Sequence, residues 1–161
     1  MATNPDPVRP ATDEAFDIAR ALLGASHAAL AYTDPETKTP GISRIAFGRA
    51  VDGGFVTLIS SLAPHFAALR ASADCAVMLG EPGPKGDPLT HPRLMIRAKA
   101  EFVDPAAPDR PALREQWLQD HPKAKLYVDF ADFAFVRLHP QSALLNGGFA
   151  KAFRFDGTTL V

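Results

Sequence analysis

The chain is poor in the residues that build several whole classes of protein. It has one cysteine among 161 residues, which excludes a disulfide framework and a cysteine-rich zinc site. Cys75, in "DCAVML", has no cation beside it in sequence and reads as a small core residue of a strand rather than a reactive thiol. Neither sign of charge dominates: Lys+Arg number 17 and Asp+Glu 18, for a net charge of -1. A nucleic-acid surface needs a basic excess to displace phosphate counterions, so no nucleic-acid partner is expected. No apolar run approaches the ~20 residues of a membrane span. "MATNPDPVRPATDEAF" holds no apolar signal core. These absences predict a soluble, cytoplasmic protein in a reducing compartment, with no membrane partner. There is no internal repeat, and no Walker-type or Rossmann-type glycine loop to hold a nucleotide triphosphate or dinucleotide.

What is present is an ordinary globular composition, 47% hydrophobic and 22% charged, in a chain long enough for one domain. Residues 1–11 are proline-rich and predict a loose tail, leaving 12–161 as the domain. Thr12 can cap a helix with Asp13 and Glu14 in its first turn, and Gly24 stops it. Strands are expected at 27–33, 42–51, 55–60, 74–81, 93–103, 132–140 and 142–146. "DGG" at 52–54 makes a hairpin turn, and "PGPKGDPLTHP" at 82–92 a long loop. A helix is expected before residue 122, with Leu113 and Trp117 at helical spacing, and "GGFAKAFRF" closes the domain. Six to eight short strands with few helices predict a mainly β (α+β) fold, a closed or partly closed antiparallel barrel with flanking helices. A doubly wound parallel sheet would require a helix after nearly every strand.

One stretch draws attention to chemistry: "LISSLAPHFAALRAS" at 58–72. A strand ends in two hydroxyls, Ser60 and Ser61, and a helix starts at Pro64 with His65 in its first turn. Helix starts expose unpaired N–H groups and suit phosphate. Arg44, on the strand expected to pair with 55–60, is placed to reach the same mouth, and Arg49 and Arg70 add cations. The same residues also fit a plain helix start, with Ser61 as cap, Pro64 as first turn, and His65 and Arg70 at the surface.

In order along the chain, this stretch is followed by "GDPLTHPR" (Asp87 to Arg93), "HPKAKLY" (His121 to Tyr127), "DFAFVR" (Asp132 to Arg137) and the Gly147-Gly148-Phe149 turn. As a set, these motifs resemble the pyridoxamine-phosphate-oxidase-like FMN-binding split barrels, and within them the HugZ-type haem-utilisation branch. The resemblance covers about residues 14–155. It implies a six-stranded antiparallel split β-barrel, a homodimer, and FMN at the subunit interface. By position, Arg44 would face the FMN phosphate. Ser60 and Ser61 would line the phosphate and ring edge, with His65 at the phosphate. Arg93 would reach the site across the dimer, and Arg49 would occupy the place of a second basic residue. Where the branch carries a threonine and an asparagine after the histidine, this chain has Phe66 and Ala68. Each hydrogen bond to a charged group so lost is worth about 1.5–3 kcal/mol. Ala98 stands where a glycine is usual. Some branch members bind haem through a histidine in an additional C-terminal region, which this sequence is expected to lack.

The other residue types are less directive. A haem ligand needs an imidazole in an apolar pocket; His121 and His139 each precede a proline and fit element ends, and His27 and His91 complete the set. Trp117, Tyr127, Phe130, Phe133 and Phe135 could form an aromatic wall for a flavin, but most of them are expected in the core. Asp129 and Asp132 bracket an aromatic stretch without the further ligands of a metal site. No side chain stands out as a general base, so no catalytic residue is named. Three readings follow: an FMN flavoprotein acting as an oxidoreductase on an unknown substrate, a haem-binding protein of iron utilisation, or a dimeric barrel that has lost its flavin.

Overall fold

The computed structural model describes residues 6–161. Helix α1 spans Asp13–Leu22, and the Thr12 side chain accepts a hydrogen bond from the Ala15 N–H, as its sequence predicts. Strands β2 (His27–Thr33), β3 (Pro40–Ala46), β4 (Gly48–Arg49) and β5 (Phe55–Ser60) follow, then α2 (Pro64–Ala71) and β6 (Asp74–Leu79). After the long loop come β7 (Arg93–Phe102), α3 (Arg110–Asp120), β8 (Phe133–Asn146) and β9 (Ala152–Asp156). A short strand, β1 (Val8–Pro10), precedes them all.

The sheet order is β1-β9-β8-β7-β6-β2-β3, with β5 joining β8 and β4 joining β5. All pairings are antiparallel except β1 with β9. This is the mainly β, split-barrel architecture the sequence predicts, with a strand count that differs from six. The sheet divides at β8. One edge pairs with β7 from Val136 to Asn146, while the other is shared by β5 at 133–138 and β9 at 142–146. Two strands were expected here, 132–140 and 142–146. Instead one 14-residue strand runs through Pro140, which has no N–H to give a ladder. The register shift opposite Arg97 and Ala98 absorbs the missing donor, the usual place for proline within a sheet.

A second difference concerns the expected tail. Val8–Pro10 is a paired strand rather than loose, with Val8 opposite Ala152 and Pro10 opposite Arg154. Ala11 N–H donates to the Arg154 carbonyl at 3.1 Å, and the Arg154 guanidinium reaches Asp6 and the Val8 carbonyl. The remainder of that segment, residues 1–5, lies outside the described residues.

β5 is buried on both faces and therefore reads as an unbroken apolar run. Phe55 and Ile59 enter one core with Leu30, Phe47, Leu94, Ile96 and Leu145. Val56 and Leu58 enter a second with Leu113, Trp117, Val128 and Phe135. Thr57 is the polar exception, fully buried. Its Oγ1–H donates to the Ala46 carbonyl at 2.7 Å, where β3 ends and the chain breaks at Phe47 before β4. Of the aromatics expected inside, Trp117 and Phe135 are buried, but Phe130 is 58% exposed and lies outside the core. Among the described residues, no helix is long and apolar enough to cross a membrane.

Phe47 fills the first core completely, whereas Phe149 is 91% exposed. Phe47→Ala is expected to lower the unfolding free energy by about 3–5 kcal/mol and Phe149→Ala by less than about 0.5 kcal/mol, both read by urea unfolding.

Candidate functional site

The strand-to-helix junction is built as the sequence suggests, but its polar groups are employed differently. Pro64 opens α2, and the capping position falls on Ala63, which offers no side-chain bond. Ser60 is not free: its Oγ–H donates to Asp132 Oδ2 at 2.8 Å while its oxygen accepts the Leu62 N–H at 3.2 Å. The Ser61 N–H donates to the Asp132 carbonyl at 2.7 Å. Ser61 is exposed and its hydroxyl makes no described bond. The turn before α2 is therefore tied to the start of β8 through one aspartate, so any anion docked at Ser60 would meet the Asp132 carboxylate.

His65 is buried, with 9% of its surface exposed. Its ring lies 6.2 Å from that of Tyr32, tilted by 55°. Tyr32 in turn lies over Gly41, its partner across β2 and β3; a Cβ at 41 would come within 2.5 Å of the phenol ring. The Nδ1 of His65 is sealed from solvent and has no hydrogen-bond partner. Burial pulls its pKa below the ordinary 6.5, so the ring is neutral at physiological pH. Phe66 turns to Phe102, edge-on at 4.9 Å. Arg70, a sequence candidate for anion binding, instead covers the Phe102 ring at 3.8 Å.

The remaining histidines are all engaged. His27 faces Glu81 at 3.2 Å and His139 faces Glu101 at 2.6 Å. His121 stacks on Trp117 at 4.0 Å with Nε2 3.0 Å from the Phe47 carbonyl, and His91 is held within the long loop. His65 is thus the one histidine among the described residues whose ring finds no hydrogen bond. Cys75 is inert: burial, assisted by the neighbouring Asp74 charge, pushes its thiol up to about 11. Among the described residues no group of three His, Cys, Asp or Glu is poised to hold a metal ion.

The arginines separate. Arg49 pairs with Phe55 at the far end of β5 from Ser60, five residues or about 17 Å along the strand. Its Nε donates to the Gly53 carbonyl at 2.9 Å. Arg93 opens β7 opposite Asn146 and its Nη1 donates to the Leu89 carbonyl at 2.9 Å. Within one chain neither joins Ser60, Ser61 and His65. Arg44 is exposed on the face of β3 opposite the core residue Ile45, so it does not enter the mouth beside Ser60. It belongs to the outward sheet face. There the pairings place Arg44, Ala29, Met78, Met95 and Leu144 in one row, and Ile42, Ala31, Ala76, Arg97 and Ser142 in the next. Arg44 and Arg97 have no ion pair or hydrogen bond among the described residues. Ile42 is 76% and Met78 45% exposed. An apolar floor of small side chains between two free guanidinium groups suits a flat, apolar, acidic ligand or another protein surface.

Five surface cavities of about 250–310 Å³ lie elsewhere. Of the sequence candidates only Arg49 lines any of these five, in two of them. Sequence reasoning missed Tyr32 and Arg97, and it weighed Asp132 as a motif residue and metal ligand but not as the partner of Ser60. The one available signal was Gly41, since a glycine at a strand start marks close approach of another group.

No family model matches the chain. A solved structure 40% identical in sequence superposes with a TM-score of 0.82, over 95% of this chain and 99% of that one. A heme binding protein from Mycobacterium smegmatis superposes at 0.80 with 22% identity, over 99% of this chain and 61% of its own. The "Non-canonical heme oxygenase HOZ, chloroplastic" of Arabidopsis thaliana is 33% identical over 118 residues, 73% of this chain. The chain spans about a third of the length of that curated relative, 35%. Its fold is that of the pyridoxamine-phosphate-oxidase-like split barrels, the family its motifs resemble.

The neutral, buried state of His65 carries a stability consequence. The unfolded chain binds a proton first as pH falls. The contribution that depends on a neutral ring is therefore complete above pH 6.5 and is lost as pH drops from there toward the lowered folded value. The melting temperature of the native chain is expected to fall more steeply from neutral pH to about pH 5 than that of His65→Gln. Parallel curves would show that the ring is not held neutral.

Proposed function

We propose that the chain is a haem-binding protein of haem-iron utilisation, working as a pair of split barrels. The observation that carries this reading is His65, a neutral imidazole in an apolar setting with a ring free of protein hydrogen bonds. That is the protonation state and environment a haem iron requires of a ligand. Arg44, Arg97 and the Ala29, Ala31 and Ala76 floor lie on the opposite, outward face of the sheet from Tyr32 and His65, so within one chain they do not meet a haem held by His65. The haem, when bound, would bring the iron and redox chemistry; the chain's part is to bind, orient and shield it. The named haem proteins among its relatives support the same reading. FMN is less well supported. Ser60 is committed to a carboxylate, and the turn before α2 would set a phosphate against Asp132. Arg44 lies on the other face of β3.

The outward sheet face also supports pairing of two copies, because it exposes Ile42, Met78 and Leu144 side by side with small residues. A homodimer through this face would shield those side chains. Met78→Glu is expected to convert a dimer to monomer in light scattering after gel filtration; an unchanged mass would remove this face from the interface.

Haemin titration of the purified protein is expected to give a saturable Soret band. His65→Ala should weaken binding roughly tenfold or more, about 1.4 kcal/mol or above, while His27→Ala leaves it unchanged. No saturable band, together with a flavin absorbance doublet in freshly purified protein, would return the reading to FMN.

A further inference from the structure

The long loop between β6 and β7 is organised around its own imidazole. Its neck is closed: Gly80 adopts φ +108°, and a Cβ there would lie 2.4 Å from the Pro92 carbonyl oxygen. Between these ends His91 folds back into the loop. Its Nδ1 receives the Gly83 N–H at 2.6 Å, and its Nε2 lies 2.9 Å from the Lys85 carbonyl. An N–H only donates and a carbonyl only accepts. The two contacts together therefore demand one species, the neutral ring with its proton on Nε2. The packing is equally close, since a Cβ on Gly83 would be 3.0 Å from His91 Cε1.

The rest of the loop is held by other means. Asp87 accepts the Leu89 N–H at 2.9 Å and, through its carbonyl, the Thr90 hydroxyl at 2.7 Å. Arg93 reaches the Leu89 carbonyl from β7. The loop thus has two halves with separate anchors, residues 81–86 on His91 and 87–92 on Asp87 and Arg93. The charged groups around the imidazole are Lys85 and Asp87 on the loop and Arg93 on β7, whose Nη1 is 3.5 Å from the His91 carbonyl. Glu81, at the neck, is occupied by His27.

We propose that His91 is a proton-operated clasp on the 81–86 half of this loop. With a neutral ring the half-loop is closed. A second proton, arriving on Nδ1, replaces the acceptor with a donor facing the Gly83 N–H; that contact breaks while the Nε2–H keeps its bond to the Lys85 carbonyl, and the Gly83 end of the half-loop lets go. The 87–92 half stays in place. The released residues adjoin Glu81, which His27 keeps at the neck and which with Gly80, His27 and Met78 lines a cavity of about 310 Å³. Acid therefore loosens the loop beside one border of the outward sheet face. This inference stands apart from the haem reading.

The test is ¹⁵N NMR of the full chain across a pH titration, following the His91 ring nitrogens and the exchange protection of backbone amides. The expected result is a Nε2–H tautomer at high pH. Gly83 protection should fall roughly five- to tenfold, the loss of one net hydrogen bond, with the midpoint of the His91 signals. Val77 in β6 should keep its protection. His91→Gln, whose amide can make both contacts without titrating, should keep Gly83 protected at every pH, and His91→Ala should lose protection at every pH. A Nδ1–H tautomer, Gly83 protection that stays flat while His91 titrates, or a His91→Gln chain that retains the native pH response would overturn the proposal.

Discussion

Everything in this fold hangs on β8, which is bonded along both edges for nearly its whole length. One edge belongs to β7. The other passes from β5 to β9 at the bulge beside Pro140. That transfer lets one sheet serve two cores, because β5 is drawn to one side with its apolar residues facing both ways. It also brings Asp132, just before β8, against the turn that starts α2. The candidate site is thus a by-product of how the sheet divides: the helix that carries His65 is moored to the strand at the fork.

Much of this was legible in the sequence. The cap at Thr12, the alternation in "RLMIRAKAEFV" and the apolar run of β5 each follow a local periodicity, and the structure obeys them. Pro140 sits at a bulge in β8 itself, where Gln141 is the extra residue opposite the consecutive Arg97 and Ala98, and that bulge is a tertiary event. β1 was missed because three residues carry no periodicity. They become a strand only through the open edge of β9.

The site was legible in part. The junction of strand, serines, proline and helix is where the sequence puts it, and His65 sits buried in the first turn. The partners were not readable. That Ser60 would give its proton to Asp132, 72 residues away, depends on the β5–β8 pairing. Arg44 went astray for a different reason. Strand alternation fixes which face a residue takes relative to Ile45, but not that β3 ends the hydrogen-bonded order, with one of its faces turned outward. The sheet order decides which arginines stay free, leaving Arg44 and Arg97 unpaired while Arg49, Arg70 and Arg93 are spent on carbonyls and rings.

The buried hydroxyl of Thr57 has an implication for how this chain can vary. At the end of β3, before the break at Phe47, the Ala46 carbonyl takes its hydrogen bond from that one hydroxyl. Valine has the same outline and greater apolarity. Here it would strand an acceptor in a dry interior, a deficit of about 1–3 kcal/mol. Position 57 is therefore closed to the exchange that its shape invites, and the end of one strand dictates the chemistry of another eleven residues on.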